Sequence, residues 1–93
     1  MLYVRHTVGS RLFCETTEYE IKPVENSWEI SFKVDQEIAN TLLKFRDELN
    51  IFYVEEDNQN HKTWFYSSEG DVRFLEDESK CIILADHKTV YPV

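Results

Sequence analysis

Glycine and proline are scarce in this chain of 93 residues, with two of each. Two glycines cannot build a phosphate-cradling loop, which needs backbone N–H groups brought close by residues without Cβ. They also leave no flexible joint, so residues 1–93 are expected to form one compact domain. Cysteine is equally sparse. Cys14 and Cys81 lie in separate apolar runs, which suits buried free thiols of a reducing compartment better than a disulfide framework. No apolar run reaches the roughly 18 residues of a membrane span. The opening residues lack the apolar stretch of a signal peptide, so a cytoplasmic location, that of an infected host cell included, is the expectation.

Catalytic and metal-binding patterns are missing as well. His6, His61 and His87 share no spacing that would aim two imidazoles at one metal. His6 falls on the apolar side of an alternating run and is expected to be partly buried and hydrogen-bonded. No serine stands in a nucleophile elbow. The acidic runs lack the spacing and the glycine of a calcium loop. No cofactor and no metal are expected, and an enzyme is the least favoured class.

Apolar and aromatic residues are plentiful, at 42% and 14%, which excludes a disordered chain. Leu2, Val4, His6 and Val8 alternate with polar residues, as a half-buried strand does. Gly9-Ser10 predicts a two-residue type II′ hairpin, because its first position needs φ > 0. A return strand is expected from residue 11 to about 22, stopped by Pro23. Trp28, Ile30, Phe32 and Val34 mark the clearest strand. Asp35 is a good N-cap, and Ile38, Leu42, Phe45 and Leu49 form one apolar stripe, predicting an amphipathic helix over about 36–49 ended by Asn50. Four strands follow, the one around Cys81 and Ile83 apolar on both faces as in a central strand.

The expected fold is therefore α+β, with strand order βββαββββ. It comprises a strongly twisted antiparallel sheet of about six to seven strands with the helix on one face. A curled sheet or small open barrel plugged by the helix is the alternative.

Charge is the strongest remaining signal. Eighteen acidic residues face ten basic ones, a net charge of -8. Such a field repels nucleic acid and anionic membrane and favours a basic partner. The surplus concentrates in residues 15–29 and 51–79. Turns at Glu55, Glu56 and Asp57 and at Glu76, Asp77 and Glu78 would form one acidic edge if they point the same way. Trp64 and Tyr66 share one strand face; a place in the core is the first expectation for them, and anchoring a partner beside the acids is the second.

Met1-Leu2-Tyr3-Val4-Arg5, Thr17-Glu18-Tyr19-Glu20-Ile21 and Trp28-Glu29-Ile30-Ser31-Phe32 give the first third a generic β-pattern. It is similar to the first domain of tail-hub proteins of Gram-positive siphophages, which are much longer chains. The resemblance implies a structural or assembly module as the second reading, in which the chain is a tail component. The first reading is a small acidic, non-enzymatic binding protein, monomer or homodimer. It would inhibit or neutralise a basic or nucleic-acid-binding protein, as phage counter-defence and immunity proteins do. Its expected contact residues are Glu55, Glu56, Asp57, Trp64, Tyr66, Glu76, Asp77 and Glu78.

Overall fold

The computed structural model describes residues 1–55 and 61–92. In chain order it comprises β1 (Leu2–His6), β2 (Leu12–Thr16), β3 (Tyr19–Val24), β4 (Ser27–Lys33) and helix α1 (Gln36–Lys44). Then come β5 (Leu49–Tyr53), β6 (His61–Tyr66), β7 (Val72–Leu75), a 3₁₀ turn (Glu76–Glu78), β8 (Lys80–Ala85) and β9 (His87–Pro92). The antiparallel α+β class stands, but the single sheet does not. Among the described residues nine strands form two sheets, one ordered β2-β1-β5-β6-β9 and the other β3-β4-β8-β7.

The first departure from expectation is the strand over residues 11–22, which is two strands. Cys14 and Thr16 lie opposite the buried Val4 and Leu2 and so point inward in β2. In β3 the odd positions do, since Tyr19 and Ile21 face Phe32 and Ile30. The chain changes parity between them, where the Thr16 hydroxyl accepts the Glu18 N–H at 2.9 Å, and so changes sheet. Pro23 does not end β3. It sits opposite Trp28 at the sheet edge, where a missing N–H costs the ladder nothing.

The first hairpin is also longer than two residues. His6 N donates to Arg11 O at 2.8 Å across residues 7–10, and Gly9 and Ser10 both have positive φ (76° and 54°).

Helix α1 begins as expected: the Asp35 carboxylate accepts the Ile38 N–H at 2.8 Å. It ends at Lys44, with Phe45 as C-cap, five residues before the expected 49. Leu49 is already the first residue of β5, buried and paired with His6. The 4-3-4 stripe thus runs through two elements that share a core. The helix packs against β2 and β7, edge strands of different sheets, and so closes the gap between them. That arrangement is closer to the plugged-barrel alternative than to a helix laid on one face. Leu2, Val4, Ile30, Phe32, Leu42, Ile51, Phe65 and Ile83 fill the space between the sheets. Fully burying each such side chain contributes about 1.5–3 kcal/mol.

Candidate functional site

The outer faces of the two sheets differ in chemistry. The four-stranded sheet turns Glu20, Lys22, Glu29, Lys33 and Arg73 away from the core, with Lys22 opposite Glu29. Those charges surround the half-buried Ile82 and Leu84 and the buried Ser31, which the register puts on the same face. The five-stranded sheet turns out aromatic rings instead. Register aligns Tyr3, Phe52 and Trp64 across β1, β5 and β6, with Tyr66 further along β6 and Tyr91 on β9.

Trp64 and Tyr66 therefore do not enter the core. Phe65 between them does, at 2% exposed, and strand alternation sends its neighbours to the other side. Their rings stack at 5.8 Å and 14°. The polar atom of each is satisfied within the chain: Trp64 Nε1 donates to Asn50 Oδ1 at 2.9 Å, and the Tyr66 hydroxyl donates to Asp47 O at 3.0 Å. The Lys62 ammonium sits 4.3 Å from the Phe52 ring centroid. Asn50, Phe52, Lys62, Trp64, Tyr91 and Pro92 line a shallow groove of about 490 Å³ on this face. The rings are fixed and half-exposed, which is the condition of an interface anchor.

The acidic residues fall elsewhere. Glu55 lines a cleft of about 450 Å³ beneath β3, together with Tyr53, Thr63, Phe65, Trp28 and Lys88. Desolvation, followed by Tyr19 and Glu55 nearby, pushes the Tyr53 phenol up to about 12. Glu76, Asp77 and Glu78 make the exposed 3₁₀ turn of the four-stranded sheet. Two bonds of 3.0 Å hold that turn, from Lys33 Nζ to Glu78 O and from Val34 N to Ser79 O. The second bond sets the end of the turn beside Val34, one residue before Asp35, the N-cap of α1. Glu56 and Asp57 lie outside the described residues.

The His6 ring packs beside the stacked pair Phe13–Phe45, with Nε2 2.7 Å from Glu48 Oε1. His87 contacts Asp86 and the Tyr66 ring. Cys14 and Cys81 are free. Among the described residues no three His, Cys, Asp or Glu side chains group where a metal could be held, and no helix is long and apolar enough to cross a membrane. Compared with protein-family models, curated proteins and solved structures, the chain matched none.

Sequence reasoning named Trp64 and Tyr66, with a place in the core as the first expectation, which the register corrects; it did not name Tyr3, Asn50, Phe52, Lys62 and Tyr91. Phe52 and Tyr53 are adjacent aromatics, and only the register tells which of them points inward.

Proposed function

We propose that the protein is a small acidic binding protein that neutralises a basic partner protein, anchoring it on the aromatic face of the five-stranded sheet. The stacked Trp64–Tyr66 pair carries this reading. A stack whose N–H and O–H are already engaged loses little entropy on binding and presents ring surface alone. The net charge of -8 supplies the second part. The described ion pairs engage Glu48, Asp71 and Asp86, so most of the exposed carboxylates, the turn Glu76–Glu78 among them, contribute to a long-range field. Such a field accelerates encounter with a basic surface, while buried aromatic anchors slow dissociation.

The two parts separate kinetically. With the partner captured from the native host, Trp64→Ala and Tyr91→Ala should raise the dissociation rate about tenfold or more. Reversing Glu76, Asp77 and Glu78 to lysine should instead slow association and flatten its salt dependence. If both aromatic variants bind as the parent does, the sheet face is not the anchor and the reading fails.

A further inference from the structure

Two sheets packed face to face leave a gap along each side. Helix α1 closes the gap between β2 and β7, but among the described residues no element closes the other, between β3 and β9. Inward-facing residues of both sheets therefore meet solvent there. The register continues the Tyr53–Thr63 row onto Val90, which is nonetheless 52% exposed. The cleft of about 450 Å³ adjoins a second hollow of about 240 Å³ that shares Tyr53, Glu55 and Thr63 with it. Concavities of this size at the mouth of a barrel-like fold are where small molecules bind.

The lining selects the ligand. Its floor is aromatic, with ring centroids 6.0 Å apart for Trp28 and Phe65 and 5.6 Å apart for Tyr19 and Tyr53, each pair inclined rather than stacked. Inclined rings leave room for a planar ring to pack on a face or an edge. The rim carries two exposed and opposite charges, Lys88 and Glu55. Lys88 reaches across from β9 and sets its ammonium 5.6 Å from the Trp28 ring centroid. Glu55 stands beside the Tyr53 phenol. Among the described residues no ion pair joins the two charges. Lys88 lies two residues to one side of the Tyr53–Thr63–Val90 row and Glu55 two residues to the other, an offset of roughly 13 Å along the strands.

From this we infer that the cleft binds a small amphoteric aromatic molecule, a planar ring with a carboxylate at one end and an ammonium at the other. A cation alone would meet Lys88, and an anion alone would meet Glu55. A molecule bearing both sets its carboxylate on Lys88, its ring among Trp28, Tyr19 and Phe65, and its ammonium on Glu55. Two charges on one carbon do not span the offset. The site lies on the opposite side of the sheet from Trp64 and Tyr66, so it and the partner-anchoring face stand or fall separately.

Chemical-shift titration of nitrogen-15-labelled protein with 4-(aminomethyl)benzoate, at about 0.05 M salt, tests the inference. Two probes of the same ring lack one charge each, 4-methylbenzoate and 4-methylbenzylamine. The amphoteric probe is expected to bind with a Kd of about 1 mM or below, about tenfold or more tighter than either, and to shift the amides of Tyr53, Thr63 and Lys88. Lys88→Gln should erase its advantage over 4-methylbenzylamine alone, and Glu55→Gln its advantage over 4-methylbenzoate alone. Both side chains are exposed, so both variants keep the fold, which far-ultraviolet circular dichroism confirms. L-Phenylalanine, with both charges on one carbon, should bind no more tightly than the single-charge probes. Absence of binding up to about 10 mM overturns the inference. So does a single-charge probe or L-phenylalanine that matches the amphoteric one, or an advantage that survives both substitutions.

Discussion

Burial decides what the two thiols can do. Cys14 is pushed up from 9.0 to about 12 by desolvation first and by the neighbouring Cys81 second. Cys81 rises to about 11 by desolvation, partly offset by a backbone bond at Ile82. Only the thiolate attacks an alkylating reagent. At pH 8 the Cys14 thiolate is about a thousandfold rarer than that of a free cysteine. Native protein should therefore resist iodoacetamide at pH 8 for hours and label within minutes in denaturant; quick labelling of the native state would contradict this environment. His6, packed beside the stacked rings of Phe13 and Phe45 and bonded to Glu48, ties β1 to the turn after the helix.

Helix α1 has nine residues, too few to persist alone in water. Its stability comes from the buried Ala39 and Leu42 and from the Asp35 cap. Asp35→Ala leaves the Ile38 N–H without its partner and should cost about 1 kcal/mol, while Asp35→Asn should cost little. Urea midpoints at an unchanged m-value measure both. The helix start was legible in the sequence because a cap is a local signal, and β4 was legible because its alternation is unbroken. The helix end was not, since Leu49 keeps helical spacing while belonging to a strand. Residues 11–22 misled for a similar reason. Their apolar positions look continuous, and only the ladder shows that the inward parity changes after Thr16.

The two-sheet architecture left no trace in the sequence pattern, because alternation is the same whichever sheet a strand joins. Neighbouring hairpins β1–β2, β3–β4, β5–β6 and β7–β8 follow from adjacency, but β1–β5, β4–β8 and β6–β9 do not. The same gap hid most of the aromatic face, which exists only once β1, β5, β6 and β9 are in register. The last sheet change turns on one residue. Asp86 separates β8 from β9, its N–H donating to Tyr66 O at 3.0 Å. Its carboxylate accepts from the Ser68 hydroxyl and from the Ser68 N–H.

These bonds from Ser68, then His87, hold the Asp86 carboxyl well below the usual carboxylate range. A depressed folded-state pKa stabilises the fold above the unfolded value near 4, and that stability is lost as pH falls below it. Asp86→Asn should thus cost about 1 kcal/mol at pH 7. The difference from the parent should shrink as unfolding is measured at successively lower pH below about 4. A gap that persists unchanged at pH 2 would show that the carboxylate does not pin the corner.

The four-stranded sheet is bridged by a strand from late in the chain, since β8 lies between β4 and β7. A nascent chain leaving the ribosome consequently carries the β3–β4 hairpin and β7 unjoined until residues 80–85 appear, while β2, β1, β5 and β6 can already pair. The second layer of the molecule is therefore completed late, and pairings between strands so far apart form slowly.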